Sequence, residues 1–128
     1  MRILIADDNE PVRRGVAGIL SSGTNLQVCG QAEDGEGAIL MARKLLPDLI
    51  LLDMSMPGIG GLEAASLIRQ EWPKVKIVIL SQHDPILLLP RALEAGADAC
   101  VDKSRLDLDL LPTIMDIHTI AKRRPIAS

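Results

Sequence analysis

Residues 48–58 read Asp48-Leu49-Ile50-Leu51-Leu52-Asp53-Met54-Ser55-Met56-Pro57-Gly58. Four large aliphatic residues stand between two aspartates, and Pro-Gly closes the stretch. The run is too short for a buried helix and has no polar alternation. It reads as a strand over 48–52, apolar on both faces, which is the pattern of a parallel sheet covered on each side. Asp53 then stands at the carboxyl end of that strand.

Working outward, the same pattern recurs. Ile3-Leu4-Ile5-Ala6 is a first strand, Leu26 to Ala32 a second, Val75 to Leu80 a fourth and Ala99 to Val101 a short fifth. Helical patterns fill the intervals. Asn9 can cap a helix with Val12, Val16, Ile19 and Leu20 on one face. Asp34-Gly35 opens a second helix with Ala38, Ala42 and Leu45 aligned, and Pro47 closes it. Gly58 to Glu71 is expected to be a third. Pro85 to Ala95 is a fourth, with Gly96 as its C-terminal cap. A fifth is expected over much of Asp109 to Lys122. Pro90 should kink or shorten its helix, and Pro112 is comfortable if the fifth helix begins close to it. Five strand–helix units with right-handed crossovers give an α/β fold: a doubly wound, flavodoxin-like parallel sheet of order 2-1-3-4-5 with helices on both faces.

The totals agree with one domain. There are 128 residues, 48% of them hydrophobic, enough for a real core. Fourteen basic and 17 acidic side chains leave a net charge of −3, which gives no global pull toward nucleic acid or an anionic membrane. One Trp and no Phe or Tyr mean an aliphatic core, with almost nothing to stack on a base or a flavin. Two cysteines, Cys29 and Cys100, make no disulfide framework. No signal peptide and no membrane-length apolar run are visible, so a cytoplasmic location is expected. Residues 1–122 are expected to form the domain, with 123–128 a basic C-terminal tail or the start of a linker.

Doubly wound sheets bind ligands at the carboxyl ends of their strands. There stand Asp7 and Asp8 after the first strand, Asp53 after the third, Ser81 after the fourth and Lys103 after the fifth. Alone, each would be an ordinary cap, turn or surface charge. Together they form a constellation. Crowded carboxylates repel one another, and a hard divalent cation removes that conflict. Oxygen ligands without His or Cys suit magnesium. A carboxylate in that setting can take a phosphoryl group, with the metal, the ammonium and the hydroxyl offsetting charge.

These residues resemble the receiver domain of bacterial two-component response regulators. The matching pieces are IADDNEPVRRGV, VCGQAEDGEGA, PDLILLDMSMPGIGGLEA, VKIVILS and ALEAGADACVDK, in the family's order from residue 3 to residue 103. The VCGQAEDG and GLEA wording looks most like the NarL/FixJ (LuxR-type) subfamily. The resemblance implies a phosphorylation-dependent switch in a phosphorelay: a signalling domain, not an enzyme, that promotes its own aspartyl phosphorylation and dephosphorylation. Asp53 matches the phosphoryl acceptor. Asp8 matches a direct magnesium ligand, Asp7 its partner through water, and the Ser55 backbone carbonyl a further ligand. Lys103 matches the lysine that pairs with the acidic site and then the phosphoryl group, and Ser81 the switch hydroxyl. Ser55, Gln82 and His83 stand where hydrolysis of the acyl phosphate is tuned. The implied donor is a sensor histidine kinase, a phosphotransfer protein or acetyl phosphate. A homodimer is possible through the fourth helix, fifth strand and fifth helix, or through the first and fifth helices. Transcription would be regulated through a DNA-binding output domain that this chain lacks, and no membrane contact is implied.

The chain departs from the pattern in places. Cys100 replaces the aromatic that normally moves with the switch hydroxyl, and reads as a small buried hydrophobe. Gln82 replaces a small residue and could narrow access. Ser104 replaces the frequent proline after the lysine. Ile86-Leu87-Leu88-Leu89 is either an exposed contact face or core. A haloacid-dehalogenase-type phosphatase would need an Asp two residues after Asp53, where Ser55 stands. A flavin carrier would need aromatics and a hydroxyl-rich phosphate loop. A phosphorylation-independent binding module stays open because of Cys100, Gln82 and Pro90.

Overall fold

The structure is a computed structural model that describes residues 1–23 and 25–123. Five parallel strands carry the aliphatic runs: β1 (Arg2–Ala6), β2 (Gln27–Ala32), β3 (Leu49–Asp53), β4 (Lys76–Ser81) and β5 (Ala99–Asp102). Their order is β2-β1-β3-β4-β5, as expected. Every residue of β3 is buried, because it lies at the centre with both faces covered.

Strand alternation sends successive side chains to opposite faces. Leu4, Ile50, Leu52, Ile77 and Ile79 point to one core, which is shared with α2 (Gly35–Leu45), α3 (Gly61–Glu71) and α4 (Pro85–Glu94). Ile3, Ile5, Leu49, Leu51, Val78 and Leu80 point to the other, beneath α1 (Glu10–Ser21) and α5 (Leu106–Arg123). Both cores are almost wholly aliphatic, and Trp72 packs only at the rim of the first.

The caps read from local sequence are present. Asn9 accepts from the Val12 N–H at 3.1 Å and Asp34 from the Gly37 N–H at 2.6 Å. Gly96 follows α4 with φ of +100°.

Three expectations are corrected. The third helix starts at Gly61, not Gly58: Gly58 is left-handed at φ +76°, so residues 58–60 stay in the loop. The fifth helix starts at Leu106, not Asp109. Asp102 takes the Ser104 N–H and hydroxyl at 2.9 and 2.8 Å, and this starts a 3₁₀ turn over Lys103–Arg105 that leads straight into α5. Pro112 is therefore inside the helix rather than near its start. Pro90 likewise sits inside α4, which runs on to Glu94. Each proline removes one bond, to the carbonyl four residues back, and those carbonyls belong to Ile86 and Leu108. Both residues are exposed, at 80% and 60%, where water can supply the missing partner. The basic tail past Arg123 lies outside the described residues.

Of the Ile86–Leu89 run, only Leu88 is core. Ile86 and Leu87 are about four-fifths exposed. Cys29 and Cys100 lie on the two edge strands, both as free thiols.

Candidate functional site at the carboxyl edge of the sheet

β1 ends at Ala6, and the chain turns at once into Asp7 and Asp8. Asp7 is fully buried. One of its oxygens caps the turn by accepting the Asn9 N–H at 2.8 Å. The other, Oδ2, is buried and pairs with the Lys103 ammonium at 2.7 Å. Asp8 is exposed.

β3 delivers Asp53 beside them. Its Oδ1 accepts the Ser55 N–H at 3.2 Å and faces Lys103 Nζ at 2.9 Å. Gly61 at the start of α3 packs directly on the backbone of Asp53 and Met54, and a side chain there would collide with the Asp53 carbonyl. That close approach brings the loop after β3 under the helix. β5 and its 3₁₀ turn place Lys103 between the two carboxylates, with its side chain nearly buried.

β4 brings Ser81, buried, with its hydroxyl accepting the His83 N–H at 2.9 Å and lying 3.9 Å from the Met54 sulfur. Asp8, Asp53, Ser55, Ser81, Gln82, His83 and Lys103 share one open cavity of about 140 Å³. Asp7 lies beneath it. Cys100 is not in the cavity: it is half-buried against the α2–α3–α4 core, and burial pushes its thiol up to about 11, so it stays protonated at neutral pH. Asp7, Asp8, Asp53, Ser81 and Lys103 therefore come together at this edge, and Cys100 packs apart from them as a partly buried apolar residue.

The electrostatics are unfavourable without a further cation. Burial pushes the Asp53 carboxyl above the usual carboxylate range and the Asp7 charge adds to the push, while Lys103 and the Ser55 N–H pull it back. Burial also works against the Lys103 charge, but hydrogen bonding and charge from Asp7 and Asp53 outweigh it and hold the ammonium above its ordinary value. One ammonium thus faces three carboxylates. Asp7, Asp8 and Asp53 each offer an oxygen within 4.8 Å of the others. The surplus of carboxylate charge and the all-oxygen donor set fit a hard divalent cation.

The receiver-domain model of response regulators matches residues 3–115. The chain belongs to the response regulator receiver domain family. Receiver domains bind magnesium at an acidic pocket of this kind and exchange signals with histidine kinases or phosphotransfer proteins. The chain is 41% identical over 103 residues to the response regulator GacA of Pseudomonas protegens, covering 80% of this chain and 48% of that protein. It is 35% identical over 119 residues to UvrY of Escherichia coli K12, covering 93% of this chain and 55% of that protein. The receiver chain thus spans about half the length of these relatives. Among solved structures it is similar to a LuxR-family two-component response regulator from Aurantimonas sp. SI85-9A1, with TM-score 0.85, 33% identity and coverage of 91% and 83%. It is also similar to the receiver domain of the response regulator NarL from Mycobacterium tuberculosis, with TM-score 0.83, 30% identity and coverage of 91% and 94%.

Two neighbours of the site escaped the sequence reading. Met54 touches the Ser81 hydroxyl across two strands, and no local signal announces such a contact. The Arg13 guanidinium donates to the Asp7 carbonyl and to Gln31 Oε1, tying α1 to the acidic loop and β2. Its place one turn into α1 was the available hint. No helix among the described residues is long and apolar enough to cross a membrane.

Proposed function

We propose that this receiver domain is a phosphorylation-dependent switch whose phosphoryl acceptor is Asp53. The observation that carries the reading is the shared cavity, in which the Asp53 carboxylate meets Asp8, Ser81 and Lys103. Both Lys103 and the Ser55 N–H engage Asp53 Oδ1, which leaves Oδ2 for attack. Oδ2 attacks the phosphorus of a phosphohistidine on a sensor kinase or phosphotransfer protein, or of acetyl phosphate. The bond from phosphorus to the leaving imidazole nitrogen or acetate oxygen breaks, and the leaving group keeps the electron pair.

Asp8, Asp53, Asp7 and the Ser55 backbone carbonyl would hold magnesium, Asp7 through water. Bound there, the ion supplies positive charge against the carboxylates and the incoming phosphate oxygens. Lys103 then pairs with the phosphoryl group, and the Ser81 hydroxyl turns from Met54 to donate to a phosphoryl oxygen. Ser55, Gln82 and His83 line the approach and set how fast water reaches the acyl phosphate. Phosphorylation adds about −1.5 to −2 charges and shifts the population between two packings of the β4–α4 loop. The output surface is α4, β5 and α5, where Ile86, Leu87, Leu108 and Met115 are exposed. A homodimer or partner forms there, or through α1 and α5, and regulates transcription in the cytoplasm through a DNA-binding domain of a longer protein.

Cys100 favours a second reading, a phosphorylation-independent binding module, because no ring couples Ser81 to β5. The deciding experiment is intact mass after incubation with acetyl phosphate and magnesium. A single phosphoryl adduct that requires magnesium and is absent from Asp53→Asn is expected. No adduct on the unaltered protein would leave the binding module.

A further inference from the structure

The opposite edge of the sheet carries a second hollow that the switch does not use. Its apolar lobe has a volume of about 420 Å³, within the range of small-molecule sites. Leu46, Pro47, Ile50, Trp72 and Val75 line it. Trp72 is the sole aromatic residue of the chain. A separate hollow of about 400 Å³ on the α5 face of the sheet shares Asp48 and Lys74 with it and is lined further by Lys76 and His118.

The charges there are unevenly settled. Asp48 Oδ2 accepts the Arg2 N–H at 2.7 Å, and Glu71 is engaged by Arg43 through two contacts of 3.2 and 3.1 Å. Neither Lys74 nor Lys76 pairs with a carboxylate among the described residues. The apolar lobe thus carries at its rim one cation, Lys74, that has no carboxylate partner among the described residues.

Leu46 adds an independent observation. It caps α2 in the left-handed region, with φ of 49° and ψ of 61°, and is 63% exposed. Glycine or asparagine takes that conformation with less strain. The cap is held in place by its N–H to the Ala42 carbonyl at 2.9 Å and by the Arg2 guanidinium on its carbonyl at 3.2 Å. An exposed leucine gives the fold little, but it gives the hollow an apolar wall.

We infer that this hollow binds a small amphipathic anion, with its apolar body against Leu46 and Trp72 and its acidic head at Lys74. The site is separate from Asp53 and does not depend on phosphorylation there.

Trp72 makes the test direct, since all indole fluorescence comes from the site. The probe is 8-bromooctanoate, whose bromine quenches indole near contact, with octanoate as competitor. Saturable quenching is expected at roughly millimolar concentration or tighter, given the ligand's size. Octanoate should reverse it. Leu46→Gly and Lys74→Glu should each weaken binding about tenfold, the first by loss of apolar contact and the second by loss of charge. Leu46→Gly should unfold at the same or higher urea concentration, which separates lost binding from lost fold. Asp53→Asn should bind as the unaltered protein does. Quenching that does not saturate, or that ignores both variants, overturns the proposal. So does sedimentation showing that the hollow is filled by a second copy of the chain.

Discussion

β3 begins at Leu49 beside an apolar hollow and ends four residues on at Asp53 among charges. The two edges of the sheet solve their polar accounting differently. At the amino edge, Arg69 donates to the carbonyls of Gly96, Pro73 and Val75 at 2.9, 2.7 and 2.6 Å and pairs with Asp98 at 3.0 Å. Asp98 in turn accepts the Ile77 N–H at 2.8 Å. Each group of this Arg69–Asp98 cluster has a partner. At the carboxyl edge, three carboxylates face one ammonium, which Asp7 and Asp53 must share. Unresolved charge sits where a ligand and a phosphoryl group would resolve it, and satisfied charge sits where the fold is fastened.

The sharpest way to break that contrast is Lys103→Ala. At saturating magnesium, phosphorylation of Asp53 by acetyl phosphate should slow by about 10²–10³-fold, the scale of losing one well-placed charge stabiliser. Magnesium binding, followed by calorimetry, should be kept or tightened, because a competing cation is gone. An unchanged phosphorylation rate would remove Lys103 from the transfer step and leave it as a counter-ion only.

Arg69→Ala should do the reverse. It strips three carbonyls of the Arg69 donor and leaves Asp98 with the Ile77 N–H but no cation, and charged hydrogen bonds of this kind are worth about 1.5–3 kcal/mol. Allowing for water reaching the exposed ones, a loss of about 2–3 kcal/mol is expected in urea unfolding, with the phosphorylation rate per folded molecule unchanged. Should the rate fall with stability intact, the two edges are coupled and the contrast is wrong.

How much of this could be read beforehand follows the range of each interaction. β3 was legible because four aliphatics between aspartates admit few other structures. The caps at Asn9 and Asp34 were legible because their bonds span three residues. The acidic site was legible because parallel topology alone brings strand ends together, so Asp7, Asp8, Asp53, Ser81 and Lys103 could be gathered without coordinates. The start of α5 was not. Pro112 looked like a first-turn proline, whereas the helix is launched earlier by Ser104 donating to Asp102. The Arg69 hub, the Met54–Ser81 contact and the hollow beside Trp72 join residues from different loops or strands, and no short window of sequence displays them.

The smallest effect tests the idea that the carboxyl edge stores conflict. Burial raises the Asp53 carboxyl above the usual range. The folded protein therefore holds that proton more tightly than the unfolded chain. As pH rises from the ordinary carboxylate value through the raised folded one, the native state loses stability, and the penalty is complete above it. Asp53→Asn removes the charge, so in metal-free buffer at neutral pH it should stabilise the fold. Relief of this sort at functional sites is commonly about 0.5–2 kcal/mol, a few degrees in Tm. The gain should shrink as pH falls and vanish below the ordinary carboxylate range, where both proteins are neutral at this position. Magnesium should then invert the order at neutral pH, raising the Tm of the unaltered protein and leaving that of the variant nearly still. Thermal melts at two pH values, with and without magnesium, decide it. A metal-free variant less stable than the parent would mean that the Lys103 pairing outweighs burial, and that the edge is fastened after all.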